Sequence, residues 1–119
     1  MVAISPERIG VDLEFERSLD QESLADRFFS AEEVGLLRKE KKKSLFFKLW
    51  TSREAAIKAD GRGLGKLLSS TKVTLSEEGV TVSVGDALWS VNHRIIDQQC
   101  HVAVASRHRP SLIRWCDLR

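Results

Sequence analysis

The stretch FFKLWTSREAAIKADGRGLG, Phe46–Gly65, has the pattern of an amphipathic helix that ends at glycines. Its apolar residues recur at the spacing of a buried helical stripe: Phe46, Phe47, Trp50 and Ile57. Glu54 falls on the same stripe, four residues after Trp50. A buried carboxylate is unfavourable unless something pairs with it. The stretch therefore predicts a long helix and a partner for Glu54, and we take a metal ion as the candidate partner.

Before this helix, RIGVDLEF (Arg8–Phe15) alternates apolar and polar residues, which predicts a strand with one buried face. We expect the apolar set to face the core: Ile9, Val11, Leu13 and Phe15. Ser18 or Asp20 then caps a short helix, and the capping box Ser30-x-x-Glu33 begins a second one. The first third of the chain is thus a strand followed by helices.

The quoted helix is the third, and Ser44 is its predicted first residue. Three glycines mark its end: Gly61, Gly63 and Gly65. From Lys72 onward the apolar period changes to two, which predicts several short strands. The predicted turns lie near Glu78-Gly79, Gly85-Asp86 and Asp97-Gln98. The last segment, SLIRWCDLR, is a candidate for one more strand.

Helices and strands are segregated along the chain, which favours an α+β fold with an antiparallel sheet over a doubly wound parallel sheet. The 119 residues suit one domain, residues 1–119. The net charge of +2 argues against a surface built for nucleic acid, and no apolar run is long enough to cross a membrane. We find no secretory leader pattern. With only two cysteines, Cys100 and Cys116, in no metal-like spacing, we expect reduced thiols and a cytoplasmic protein.

Three carboxylates and a lysine form the candidate site. Asp12 and Glu14 share one face of the first strand, with Cα atoms roughly 7 Å apart. Together with Glu54 they supply the oxygen ligands that Mg²⁺ prefers, and Lys58 lies one helical turn beyond Glu54, where it could neutralise phosphate oxygens. Simpler interpretations stay open at this point. The strand acids could be a solvated face, Glu54 and Lys58 a helix-stabilising pair worth about 0.2–0.5 kcal/mol, and Gly61 only a helix cap.

Three segments resemble the signatures of the 4′-phosphopantetheinyl transferases: IGVDLE (Ile9–Glu14), ADRFFSAEE (Ala25–Glu33) and LFFKLWTSREAAIKADGRGL (Leu45–Leu64). The pairing of G-x-D-x-E with W-x-x-[KR]-E-x-x-x-K some forty residues later is specific. Glu14 and Trp50 resemble the surfactin-synthetase-activating type more than the holo-acyl-carrier-protein synthase type. The resemblance implies the 4′-phosphopantetheinyl transferase fold.

The resemblance also implies an activity and site roles. Such enzymes move 4′-phosphopantetheine from coenzyme A to a serine of an acyl or peptidyl carrier protein, with Mg²⁺, and release adenosine 3′,5′-bisphosphate. By resemblance, Asp12, Glu14 and Glu54 hold Mg²⁺, and Glu54 is also the candidate base, directly or through a water. Lys58 holds phosphate and eases departure of the bisphosphate. Lys58 and Gly63 are the residues we expect to bind coenzyme A.

Two features depart from the family pattern. Arg53 stands where lysine is commoner, a change between two cations. The chain is also about half as long as the surfactin type and resembles its second lobe alone, so we expect a homo-oligomer with coenzyme A at subunit interfaces. The alternative is a non-catalytic lobe that needs a separate partner lobe. The basic run Lys39–Lys43 is a candidate surface for an acidic carrier protein, as are Arg17 and Arg27; otherwise the run is a solvated helix end.

Overall fold

The computed structural model describes residues 3, 5–62, 70–110 and 113–115. Its order of elements is one strand, three helices and four strands, as the sequence predicts. The α+β class is therefore confirmed. The elements are β1 (Ile9–Phe15), α1 (Gln21–Phe28), α2 (Ala31–Glu40), α3 (Lys43–Asp60), β2 (Thr71–Ser76), β3 (Gly79–Val84), β4 (Ala87–Ile96) and β5 (Cys100–Ser106).

The strands form one five-stranded sheet in the order β1-β5-β4-β3-β2, and every neighbouring pair is antiparallel. The chain's first strand thus pairs with its last strand and lies at an edge. In the register of β1 and β5, Asp12 is opposite Ala103 and Glu14 is opposite His101. Helix α3 packs across one face of the sheet and contacts all five strands.

Local capping signals place the helices. Asp20 caps α1 by accepting a hydrogen bond from the Ser23 amide, and the predicted capping box at Ser30 begins α2. The prediction that Ser44 begins α3 is wrong. Lys41 ends α2 in the left-handed conformation (φ 53°) and Lys42 is extended, so α3 begins at Lys43 without a side-chain cap.

The end of α3 follows the prediction as far as the structure describes it. Gly61 is the C-cap, with a φ of 79° that glycine adopts without strain. Gly63 and Gly65 lie outside the described residues. The three predicted turns are confirmed, and they connect β2 to β3, β3 to β4 and β4 to β5. Residues 113–115 do not form a strand, so the predicted last strand is wrong there, and the rest of that segment lies outside the described residues.

The prediction for the buried face of β1 is wrong. Leu13 is 38% exposed and Phe15 60% exposed, whereas Asp12 on the opposite face is only 5% exposed. The reason is the close approach of α3 at Gly10. A Cβ atom built on Gly10 would collide with the Ala55 carbonyl oxygen of α3. Helix and strand can therefore meet at the face that carries Gly10 and the acidic residues.

The core lies between α3 and the covered face of the sheet. Phe46, Phe47 and Ile57 are buried as the helical stripe predicts, and the partly buried Trp50 stacks on Phe46 with ring centroids 6.1 Å apart. Among the residues that the structure describes, none of the helices combines the length and apolar character needed to span a bilayer.

Arg53 holds α3 to α2 and β2 from inside the core. Its side chain is fully buried and Nη2 donates to both carboxylate oxygens of Glu33, at 2.6 and 2.7 Å. Its Nε donates to the Thr71 hydroxyl at 2.6 Å, and its guanidinium lies over the Phe29 ring. Arg53 is therefore more than a cation that replaces lysine, since its planar fork matches a carboxylate.

Candidate active site

Asp12, Glu14 and Glu54 converge where α3 crosses the edge strand. Each offers a carboxylate oxygen, and the three oxygens lie within 4.8 Å of one another. Asp12 is buried, and the other two are partly buried. The alternation of β1 brings Asp12 and Glu14 to one face, and the close contact at Gly10 brings the helix, and with it Glu54, next to them. The acidic cluster hereafter means these three residues.

Lys58 also reaches the acidic cluster. Its Nζ donates to Asp12 Oδ1 at 2.6 Å, while about half of its side chain stays exposed. The hydrogen bond of Lys58 thus goes across to Asp12 on the strand, a partner other than the Glu54 of the helix pair that the sequence left open. A second cation, Arg17, donates to Glu14 Oε2 at 3.1 Å and is more exposed. Of the predicted site residues, only Gly63 lies outside the described part of the chain.

The cluster carries more negative charge than these cations balance. Burial, together with the charges of Asp12 and Glu14, raises the pKa of Glu54 to about 7, against the opposing charge of Lys58. Burial also raises the pKa of Asp12, against the opposing effect of Lys58. Burial alone would lower the pKa of Lys58, but the hydrogen bond to Asp12 and the surrounding carboxylates outweigh it and raise that pKa. The pKa values of Asp12 and Lys58 are therefore both raised, for different reasons. Lys58 faces three carboxylates, which favour its charged form, whereas Asp12 is removed from water and lies near the charge of Glu14.

The chemistry of the donor set fits a hard divalent cation. All three groups are carboxylates, which Mg²⁺ prefers, and the partly exposed side leaves room for water or substrate oxygens. Asp12 Oδ2 is buried and has no hydrogen-bond partner among the residues that the structure describes. A buried polar atom without a partner is unfavourable. A cation at the cluster would satisfy it.

Comparison with known proteins identifies the family. A profile of the 4′-phosphopantetheinyl transferase superfamily matches residues 8–107, which include the acidic cluster, α3 and the whole described sheet. The chain belongs to this superfamily. The α+β arrangement of one strand, three helices and four strands is consistent with the 4′-phosphopantetheinyl transferase fold.

The chain matches curated relatives with the same family name over less than half of the length of each relative. The 4′-phosphopantetheinyl transferase HetI of Nostoc sp. is 40% identical over 102 residues, which are 82% of this chain and 43% of HetI. Sfp of Bacillus subtilis is 36% identical over 89 residues, 71% of this chain and 39% of Sfp. The transferase psf-1 of Bacillus pumilus is 40% identical over 80 residues, 65% of this chain and 34% of psf-1.

The structure adds a group of residues that the sequence did not bring together. Glu16 Oε2 lies 2.6 Å from His101 Nε2, and His101 Nδ1 lies 2.8 Å from His93 Nε2. Glu16 continues the alternation of Asp12 and Glu14 along the strand. That alternation was the available signal for Glu16, but nothing local connects it to a histidine 85 residues away.

Proposed function

We propose that the chain is a 4′-phosphopantetheinyl transferase that uses Mg²⁺ and coenzyme A to modify a serine of a carrier protein. The observation that carries this proposal is the convergence of Asp12, Glu14 and Glu54 within 4.8 Å, with Lys58 bonded to Asp12. The same residues stand in the two motifs that resemble the family's signatures. Membership of the superfamily and the names of the relatives support the reaction class.

The transfer joins the serine oxygen to the phosphorus that carries pantetheine. The bond from that phosphorus to the bridging oxygen breaks, and adenosine 3′,5′-bisphosphate leaves. The acidic cluster would hold Mg²⁺, which when bound neutralises charge on the pyrophosphate. Lys58 is exposed enough to contact phosphate oxygens and stabilise the charge on the leaving bisphosphate. Glu54 takes the serine proton, directly or through a water.

A second lobe is part of this proposal. The chain spans 34–43% of the length of the relatives named above. β1 lies at the edge of the sheet beside the cluster, and it exposes Leu13 and Phe15 on its other face. Exposed apolar residues on an edge strand are typical of a surface that another chain covers. We propose that a second copy completes the coenzyme A site. The alternative is a separate partner lobe, without which this chain is not catalytic.

An acidic carrier protein is the proposed macromolecular substrate. A cavity of about 320 Å³ between α1 and α2 has apolar lining from Ala25, Val34 and Leu37. Its α2 side adds three basic residues, Arg38, Lys41 and Lys42, and its α1 side adds the acidic residues Glu22 and Asp26, of which Asp26 pairs with Arg38. An apolar groove with two lysines at its α2 side suits a helix that carries acidic residues beside an apolar stripe. This structure favours the lysine run over Arg17, which is bonded to Glu14.

The transfer is tested by intact-mass spectrometry of apo carrier proteins after incubation with the chain, coenzyme A and Mg²⁺. We expect a gain of one phosphopantetheine that disappears when a chelator is added. Glu54→Gln and Lys58→Ala should abolish the gain and keep the fold. Lys72 on β2 forms an exposed ion pair with Glu32 of α2. Lys72→Ala is therefore the matched control and should retain transfer. Full turnover by Glu54→Gln would contradict the metal and base roles.

Two further measurements separate the alternatives. Hydrodynamic mass together with coenzyme A binding tests the second lobe: a stable oligomer that binds coenzyme A supports self-completion, whereas a monomer that does not bind it supports the partner lobe. Lys41→Glu with Lys42→Glu tests carrier docking, and we expect a higher KM for the carrier with kcat nearly unchanged. Lys39→Glu reverses a charge of the same run that is not among the residues lining the cavity, and it should change KM less.

A further inference from the structure

A chain of three hydrogen-bonded side chains lies beside the acidic cluster, and the proposed reaction does not use it. Its centre is His101 on β5, which is fully buried. One ring nitrogen of His101 is 2.6 Å from the carboxylate of Glu16, and the other is 2.8 Å from His93 on β4. Because both ring nitrogens have partners, the orientation of the ring is fixed. A buried histidine whose ring is held in this way restricts the positions of the side chains that pack against it.

What lies next to His101 is Glu14 of the acidic cluster. The two residues are directly opposite each other in the register of β1 and β5, so their side chains share a face. Phe47 of α3 is 5.7 Å from the His101 ring, centroid to centroid. Arg17, which bonds to Glu14, lies over the same Phe47 ring at 5.7 Å. Glu14 and His101 therefore share one packed environment between β1, β5 and α3.

Glu16 continues the acidic face of β1 one residue past the end of the strand. Asp12, Glu14 and Glu16 alternate, so three like charges lie along one side of a strand. The hydrogen bond to His101 directs the Glu16 carboxylate to β5, and only the first two join Glu54 in the cluster. The Glu16 amide also donates to the Gln99 carbonyl oxygen at 2.8 Å, which continues the pairing of β1 one residue past the end of the strand. Backbone and side chain of Glu16 are thus both held by β5 or the turn before it.

We propose that His101 is a positioning residue for the metal site: by holding Glu16 and packing on Phe47, it fixes the end of β1 and keeps Glu14 in place to bind the cation. This inference rests on the proposed function, because it assumes that the acidic cluster binds a divalent metal. His101 touches neither the metal ligands' carboxylates nor the substrate in this role. It acts through the strand, through Glu16 and through its packing on Phe47.

The test measures Mn²⁺ affinity by electron paramagnetic resonance and stability by urea unfolding on the same samples, all of them folded at the temperature used. His101→Phe keeps the ring against Phe47 and removes both hydrogen bonds. We expect it to weaken Mn²⁺ binding about tenfold, the lower end of the loss seen when groups that orient metal ligands are removed. His101→Gln returns an N–H donor toward Glu16 and should recover part of the affinity.

Val82→Ala supplies the control for general destabilisation, since Val82 is fully buried on β3, away from the cluster. It should lower stability but leave the Mn²⁺ dissociation constant within about twofold, as distant sites usually do not couple. An equal loss of affinity in Val82→Ala would overturn the positioning role. If His101→Phe does not fold, Glu16→Ala takes its place, with at least about threefold weaker Mn²⁺ binding expected from the same loss of orientation.

The outcomes separate this inference from the proposed function. Wild-type protein that binds Mn²⁺ at the cluster, with unchanged affinity in His101→Phe or in Glu16→Ala, overturns the inference alone. Wild-type protein that binds no Mn²⁺, with or without coenzyme A, overturns the metal site and the inference together. Weaker binding in His101→Phe, with recovery in His101→Gln and none of the loss in Val82→Ala, supports both.

Discussion

Replacing Gly10 with alanine tests whether the contact between β1 and α3 determines both the fold and the acidic cluster. The Cβ atom of an alanine at this position would collide with the Ala55 carbonyl oxygen and the Ala59 amide nitrogen, and it would lie 2.8 Å from the Ala59 Cα atom. All three are backbone atoms of a helix, so none can rotate away. Helix and strand must separate instead.

The magnitude follows from these distances. Ordinary contact begins at 3.4 Å, so the Ala59 Cα atom alone requires an opening of 0.6 Å, the difference from 2.8 Å, and the two nearer atoms require more. Overpacking in a core usually destabilises by about 1–3 kcal/mol. Because rigid backbone is displaced here, we expect about 3 kcal/mol or more. For a chain of this size, that corresponds to a fall in Tm of roughly 10 °C or more.

The same opening affects the site. Ala55 is next to Glu54 in sequence, and Gly10 lies two residues before Asp12. Separating helix from strand therefore moves Glu54 away from the two strand carboxylates. We expect Gly10→Ala to bind Mn²⁺ more weakly than wild type under conditions where the variant is still folded. Urea unfolding followed by tryptophan fluorescence gives the stability, and Mn²⁺ titration gives the affinity.

Gly35→Ala is the matched control, because it makes the same chemical change on the exposed surface of α2, where an added Cβ has nothing within 4 Å. In a helix, this change stabilises by about 0.4–1 kcal/mol. The two substitutions should therefore have opposite signs. Wild-type stability in Gly10→Ala, or equal losses in both variants, would refute the reasoning that close backbone approach requires glycine at residue 10.

Three further predictions concern buried charge. Arg53→Met leaves Glu33 buried without its partner, so we expect urea unfolding to show a loss of about 3–5 kcal/mol, of which the double variant with Glu33→Leu recovers a substantial part; a loss below about 1 kcal/mol would contradict the importance of the pair. Glu54 has a pKa of about 7 in the folded chain, above the ordinary 4.5. Its contribution to stability is fully present below about pH 4.5 and is lost as the pH rises through 7. Without metal, Glu54→Gln should therefore raise Tm more at pH 8 than at pH 4, and an equal effect at both would count against a raised pKa. Because a cation binds the ionised form, wild type should bind Mn²⁺ more tightly at pH 8 than at pH 6, as titrations at the two values would show.

The sequence by itself determined the order of elements and several of their ends. The Ser30 capping box, the left-handed glycine at Gly61 and the turn residues between the later strands act within a few residues of themselves, so they specify local structure wherever the chain goes. The sequence also brought Asp12, Glu14 and Glu54 into one hypothesis, because the strand period and the helix period set which side chains share a face, and the family's motif pairs them.

Only the tertiary structure decided which face of β1 is buried. Alternation fixes that two faces differ, but not which one meets the helix, and the rule that apolar residues face inward chose the wrong one. The covered face is set by how closely α3 can approach at Gly10 and by the pairing of the buried Asp12 with Lys58. Neither can be known until residues some forty positions apart come together.

The tertiary structure likewise decided the roles of Arg53 and His101. Their partners, Glu33 and Glu16, are 20 and 85 residues away along the chain. A charged or polar residue in a sequence does not indicate whether its side chain is buried until its partner is known, because the same side chain can be solvated or buried in a pair. Sheet pairing and helix packing make that choice, since they bring distant segments together and exclude water from between them.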